Sequence, residues 1–94
     1  MKLVLAHQNL EELSAKVEEM VQNNEGYRKD LMIVCLKEHA SEVRTLTGIK
    51  VDPLDESELS EENALDEYGL HTSSKSMYAD ILLRGGFLLL SRNE

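Results

Sequence analysis

Cys35 and His39 are the two residues whose types and spacing come nearest to a catalytic pair. A thiol beside an imidazole is the beginning of a nucleophile–base pair, and residues four apart on a helix share a face. Cys35, however, lies inside the apolar run Leu31–Leu36, where a thiol is usually unreactive. The pattern favours a core cysteine and a protein that is not an enzyme. A small enzyme that uses Cys35 and His39 is the alternative.

No motif for a metal ion or a cofactor stands out in the sequence. His7 and His71 would complete a zinc set with the pair above, but no recurring spacing unites the four residues. A calcium loop of the EF-hand type needs glycine at its sixth position, and counting from Asp52 that position is Ser57. Gly85-Gly86 lacks the Lys-Ser/Thr of a phosphate-binding loop. We therefore expect no metal, no cofactor and no catalytic residue.

Acidic residues are concentrated in Val51–Ser74, which we call the acidic segment. It contains eight carboxylates and neither Lys nor Arg, whereas the rest of the chain has ten acidic and ten basic residues. The whole net charge of −8 therefore belongs to this segment. Concentrated charge of one sign creates a potential of several kT and steers partners of opposite charge. The alternative is a solvated surface that serves only solubility.

From this charge pattern we predict a small acidic regulatory or inhibitory protein that binds a basic protein surface. A phage-type inhibitor of a host nucleic-acid-acting enzyme would have this general character. Negative charge argues against direct binding to nucleic acid and to anionic membranes, because both repel carboxylates. The predicted partner-binding residues are Asp55, Glu56, Glu58, Glu61, Glu62, Asp66 and Glu67.

A small aliphatic core has to position these residues. Ninety-four residues make a single domain, 1–94, and sixteen Leu compensate for one Phe and no Trp. Residues 1–6 form a short apolar run that we interpret as a strand. Asn9 resembles a helix N-cap with Glu12 three residues later, and apolar residues follow at helical spacing from Leu10 to Val21.

A second, longer helix is predicted from Tyr27 to Thr47. Apolar positions continue past the run Leu31–Leu36 to Val43 and Leu46, and Gly48 is typical of a helix C-cap. Composition alone would also allow a buried strand at Leu31–Leu36. We expect the two helices to pack against each other as an αα-hairpin.

The acidic segment is predicted to begin with a turn at Val51–Leu54, because Pro53 lacks a backbone donor. A short helix from Ser57 to Tyr68 follows, with a thin apolar face, and Thr72–Ser76 is interpreted as a loop. This helix would carry most of the predicted partner-binding carboxylates.

The C-terminal part of the chain predicts a β-hairpin. Ala79–Arg84 and Phe87–Arg92 flank Gly85-Gly86, and two glycines can adopt the positive φ angles of a tight turn. The expected fold class is α+β: a small antiparallel sheet, formed by this hairpin and an N-terminal strand, packed on a helical hairpin with a short acidic helix.

Self-association is expected because the hairpin is apolar on both faces. We predict a homodimer, and the alternative function is a structural or assembly subunit that oligomerises through its apolar sheet. The predicted interface residues are Ile81, Leu83, Phe87, Leu88 and Leu90.

A cytoplasmic location is the final expectation. Cys35 is the only cysteine, which suits a reducing compartment, and the N-terminal apolar stretch is too short for a signal-peptide core. The longest apolar run, Leu31–Leu36, is far shorter than the ~20 residues that a membrane helix needs, so no membrane partner is expected.

Overall fold

The architecture is a four-stranded sheet with helices on both faces. The computed structural model describes residues 2–23, 25–59, 68 and 75–92. Its strands are β1 Lys2–His7, β2 Leu31–Leu36, β3 Lys50–Leu54 and β4 Phe87–Ser91. Its helices are α1 Leu10–Asn23, α2 Lys37–Thr47, α3 Glu56–Leu59 and α4 Lys75–Leu83, with a 3-10 helix at Glu25–Asp30. The predicted α+β class and the N-terminal strand are confirmed.

The sheet is mixed, which corrects the predicted antiparallel sheet. Its strand order is β1-β4-β2-β3. β4 runs antiparallel to both β1 and β2, whereas β3 lies parallel to β2. Parallel neighbours need a crossover connection, and α2 supplies it by returning the chain to the end of the sheet where β2 began.

Two hydrophobic clusters lie on opposite faces of the sheet. On the first face, α1 and α2 cover alternate residues of the interior strands, among them Ile33, Cys35 and Leu89. On the second face, α3, Tyr68 and α4 cover the intervening residues, including Val34, Leu88 and Leu90. Since side chains of a strand alternate between faces, both interior strands are buried along their whole length.

Asn9 caps α1 as predicted. Its side-chain Oδ1 accepts hydrogen bonds from the backbone N–H groups of Glu11 at 2.8 Å and Glu12 at 3.3 Å. The backbone N–H of Asn9 itself donates to Nδ1 of His7 at 2.9 Å, so His7 takes the role that Glu12 would have in a capping box. The Glu12 carboxylate contacts Nε2 of the same imidazole. The face of α1 that points to the sheet carries Leu13, Val17 and Val21, as its spacing predicts.

The predicted helix from Tyr27 to Thr47 is wrong over its first half. Leu31–Leu36 forms β2, and α2 begins only at Lys37. All six residues of β2 are buried because the strand lies between two others and has helices on both faces. The expected αα-hairpin is therefore absent from the described residues, where β2 separates the two helices in sequence. The C-cap is confirmed, since Gly48 has φ 69° and donates to the Arg44 carbonyl at 2.9 Å.

The prediction of a C-terminal β-hairpin is also wrong, because Lys75–Leu83 forms the helix α4. Gly85-Gly86 ends this helix in a Schellman motif: Gly86 N–H donates to the Ile81 carbonyl at 2.8 Å and Gly85 N–H to the Leu82 carbonyl at 3.0 Å. Gly85 has φ 88°, while Gly86 has no positive φ. A type I′ hairpin turn requires positive φ at both central residues.

The predicted turn at Val51–Leu54 is instead part of the strand β3. Pro53 is tolerated because β3 is an edge strand, where one side of the backbone needs no ladder partner. The predicted helix from Ser57 to Tyr68 is described only at its start, as α3, and residues 60–67 and 69–74 lie outside the described residues. Lys75 and Ser76, which were assigned to a loop, belong to α4.

Replacing Gly86 with Ala should destabilise the protein by about 2 kcal/mol. A Cβ at this position would lie 2.7 Å from the Ile81 carbonyl oxygen and 3.1 Å from that of His7, and neither backbone atom can move freely. Urea denaturation of the wild type and of Gly86→Ala measures the difference. A loss below about 0.5 kcal/mol would contradict the close packing of α4 on the start of β4.

Candidate functional site

The described part of the acidic segment lies at one edge of the sheet. β3 forms that edge, and α3 follows it directly. Asp55, Glu56 and Glu58 are exposed, and none of them pairs with a cation among the residues that the structure describes. The other predicted partner-binding residues, Glu61, Glu62, Asp66 and Glu67, lie outside the described residues.

Two buried side chains attach the acidic segment to the second face of the sheet. Leu59 is 6% exposed and Tyr68 is 2% exposed, and both belong to the cluster formed with Val34 and Leu88. The Tyr68 hydroxyl donates a hydrogen bond to Oδ2 of Asp52, a half-buried residue of β3. Four of the predicted binding carboxylates stand in sequence between these two attachment points.

A surface depression of about 410 Å³ opens where β2 and β3 end. Its floor is apolar, because Leu36 and Leu54 are the last residues of these parallel strands and are both buried. The rim is formed by exposed charged residues: Lys37, Glu38, Asp55 and Glu56. Ligands of α/β sheets commonly bind outside the carboxyl ends of parallel strands, which is where this depression lies.

An apolar floor with a mainly acidic rim suits the side chain of Lys or Arg. The aliphatic stem of such a side chain packs on apolar surface while its charged head stays at the polar rim. Three carboxylates against one ammonium group leave the rim negative. The depression can therefore accept one basic side chain of a partner.

Helix termini give part of this acidity a structural role. Glu38 lies in the first turn of α2, and Glu56 and Glu58 lie in the first turn of α3. Carboxylates near helix N-termini interact favourably with the helix dipole, typically by 0.3–1 kcal/mol. The N-cap of α2 is Leu36, whose side chain has no hydrogen-bond acceptor. The negative charge of Glu38 therefore compensates for the missing side-chain cap of α2.

Sequence reasoning missed the contribution of Leu36, Lys37 and Glu38 to the depression. The helix predicted from Tyr27 to Thr47 has these residues in its middle, far from the end of any strand. The alternative assignment of Leu31–Leu36 as a buried strand contained the necessary signal. A strand that ends at Leu36 places Lys37 and Glu38 at the edge of the sheet.

Cys35 and His39 do not share a helix face, because Cys35 lies in β2 and His39 in α2. Cys35 is fully buried, as predicted, and burial raises the pKa of its thiol from 9.0 to about 11. The His39 ring packs edge-on against Phe87, with ring centroids 6.3 Å apart. The geometry on which the nucleophile–base alternative depended is thus absent. Within the described part of the chain no three His, Cys, Asp or Glu residues cluster as metal ligands.

The predicted oligomer interface is largely inside the protein. Phe87, Leu88 and Leu90 are 4%, 0% and 0% exposed because they belong to the interior strand β4. The predicted interface requires an exposed apolar face of the sheet, whereas helices cover both faces. Ile81 is half-buried on α4, and Leu83 is exposed there. Self-association stays a prediction.

Comparisons with known protein families, with curated proteins and with solved structures find no match for this chain. Among the described helices, none combines the length and the apolar character that crossing a membrane requires.

Native Cys35 should react with a thiol reagent at neutral pH at least about a hundredfold more slowly than in denaturant, because only local opening exposes a buried thiol.

The raised pKa of the Cys35 thiol in the folded state also means that the stability of the protein falls as the pH rises from about 9 to about 11, since the unfolded state releases the proton first. Melting temperatures across this range measure the loss. Cys35→Ala is the control, and an equal loss in that variant would contradict the assignment to Cys35.

The hydrogen bond between Tyr68 and Asp52 should contribute about 1 kcal/mol to the free energy of unfolding. A double-mutant cycle with Tyr68→Phe, Asp52→Ala and the combined variant isolates this contribution from other effects of each change. Urea denaturation gives the four free energies. A coupling energy near zero would show that the contact does not attach the acidic segment to β3.

Proposed function

We propose that this chain is a small regulatory or inhibitory protein that binds a basic protein surface through its acidic segment. The observation that carries the proposal is the exposure of Asp55, Glu56 and Glu58 at the β3 edge without a cationic partner in the described part of the chain. By contrast, the exposed carboxylate of Asp80 on α4 forms an ion pair with Arg84 at 3.1 Å.

The depression beside these carboxylates supports a basic partner more specifically than net charge does. Charge alone attracts any cationic surface, but a pocket with the floor Leu36 and Leu54 also selects for a side chain that is long and partly apolar. Lys and Arg satisfy both requirements. We therefore place one basic anchor residue of the partner over Leu36 and Leu54, with its charged head among Glu38, Asp55 and Glu56.

Attachment of the acidic segment to the core also supports a binding role. An anchored surface loses less conformational entropy on binding than a free acidic tail would. Leu59, Tyr68 and the Tyr68–Asp52 hydrogen bond supply this attachment. Solubility alone would not require it, because a free tail of the same charge serves solubility equally well.

Inhibition of a nucleic-acid-acting enzyme, as by a phage-type protein in the cytoplasm, is one role that fits this chemistry. Such enzymes present Lys and Arg to phosphates, so an acidic surface can occupy the same cationic site. The protein would then act without touching nucleic acid itself and without catalysis. No described feature favours the assembly-subunit alternative through an apolar sheet face, because both faces are covered.

The test is neutralisation of the three described carboxylates by Asp55→Asn, Glu56→Gln and Glu58→Gln together. We expect capture of a basic partner from a host lysate to fall at least about tenfold, because each lost charge removes an electrostatic attraction to the cationic surface. Capture by the wild type should also weaken steeply with added salt. Affinity measured by titration of the captured protein gives the magnitude.

The matched control changes the same number of charges on α1, which covers the first face of the sheet: Glu11→Gln, Glu18→Gln and Glu19→Gln. These three residues are exposed, so total charge changes equally. The control should bind like the wild type, and its melting temperature should change no more than that of the binding variant, because both sets include a carboxylate in the first turn of a helix. Equal loss in both variants would mean that only net charge matters, and full capture by both would contradict the proposal.

A further inference from the structure

The two edges of the sheet differ in how they are protected from pairing with another strand. β3 carries Pro53, which has no N–H to donate, together with the charged residues Lys50 and Asp52. Proline and charge are the devices by which proteins block an exposed edge. β1 begins with Lys2 and is otherwise apolar up to His7.

The β1 edge is open in the described part of the chain. No described strand pairs with its outer side, and its apolar residues Leu3, Val4, Leu5 and Ala6 are only half-buried. A bulge at Val4, between the pairs of Leu3 and Leu5 with β4, gives the strand some protection. It leaves Leu5, Ala6 and His7 in regular pairing with β4 and introduces no charge. An apolar edge strand of this length is a template for a further strand.

α4 crosses the second face of the sheet and contacts β1 as well as β4 and β2. Ile81 lies against Gly86 close to the His7 carbonyl at the end of β1. Met77 is one turn earlier than Ile81, on the same side of the helix, and is 54% exposed. This side of α4 therefore adds apolar surface near the end of β1.

We propose that a second copy of this chain pairs with the β1 edge, so that two β1 strands run antiparallel about a two-fold axis. The two four-stranded sheets then join into one continuous sheet. A strand that pairs with its own copy satisfies identical N–H and C=O groups on both sides, which makes the contact isologous and closed. Met77 and Ile81 of each copy flank the new strand pair.

Charge favours a second copy at this edge over the other. The acidic segment begins at β3, which is the opposite edge of the sheet. Pairing through β1 therefore keeps the two acidic segments apart and brings together strands whose ionisable residues are Lys2 and His7, of which His7 contacts the Glu12 carboxylate. Pairing through β3 would bring the acidic segments together. This interface is independent of the proposed binding of a basic partner.

Sedimentation and light scattering of the purified chain at about 100 µM, where a contact of micromolar affinity is saturated, test the proposal. We expect a mass of twice 10.7 kDa. Amide hydrogen exchange should slow in β1 as concentration rises from about 1 µM to about 100 µM, because outward N–H groups become paired. Exchange in β3, the other edge, should not change. A monomer at the higher concentration would overturn the proposal. The outer edge of β1 would then be available to pair with a strand of another protein.

Met77→Glu should raise the dimer dissociation constant at least about tenfold, because it places a charge beside the strand pair. Leu46→Glu is the matched control, since Leu46 is 51% exposed on α2 and the change in charge is the same. α2 packs over β2 and β3, which β4 separates from β1 in the sheet. A dimer whose β1 exchange is independent of concentration, or one weakened equally by both variants, would refute pairing through β1.

Discussion

Burial of two neighbouring interior strands on both faces determines where the other elements lie. β2 and β4 are adjacent, and every residue of both strands is buried. Burying a Val, Leu or Ile side chain contributes roughly 1.5–3 kcal/mol. These two strands supply ten of the 21 buried apolar residues in the described part of the chain. Helices must therefore cover both faces, and α1 with α2 cannot do this alone. The connection from β3 to β4 has to cross the second face.

This crossing explains why the acidic segment is attached to the core. After β3, Leu59 and Tyr68 are the described points at which the acidic segment contacts the second cluster, and α4 adds Leu82. Between Leu59 and Tyr68 the sequence offers only Ala64 and Leu65 as apolar residues, against four carboxylates. The acidic segment therefore contributes these two buried anchors to folding, and the sequence between them is mainly acidic. Folding alone requires the anchors but gives no reason for so much charge of one sign.

Local signals in the sequence predicted the features that depend on neighbouring residues. The cap at Asn9 and the C-cap at Gly48 were correct because each is decided by hydrogen bonds within a few residues. Gly85-Gly86 was misassigned because a Schellman motif and a hairpin turn both use glycine, and only the packing of the preceding residues decides between them.

The features that local sequence signals could not predict depend on contacts between residues far apart in the chain. Leu31–Leu36 has the composition of a buried helix turn or a buried strand, and its burial on two faces depends on β4, more than fifty residues later. The α+β class survived these errors because a predicted helix became a strand at Leu31–Leu36 and a predicted strand became a helix at Ala79–Leu83, so both kinds of element remained. The acidic part of the candidate site was visible in the sequence. Its apolar floor was not, because Leu36 and Leu54 meet only through the parallel pairing of β2 with β3.

Separation of charge from apolar surface gives the two edges of the sheet different uses. If two copies pair through β1, their acidic segments lie at the two far ends of one continuous sheet, related by a two-fold axis. A partner that presents two basic sites at the matching distance would bind the second site intramolecularly. Effective concentrations for such a second contact reach the millimolar range when the geometry fits, so two weak acidic surfaces suffice for tight binding. A partner with one basic site gains nothing from the pairing. Pairing through the apolar β1 edge would thus favour a partner with two symmetry-related basic sites. The acidic segment at the β3 edge would favour a partner with a basic surface.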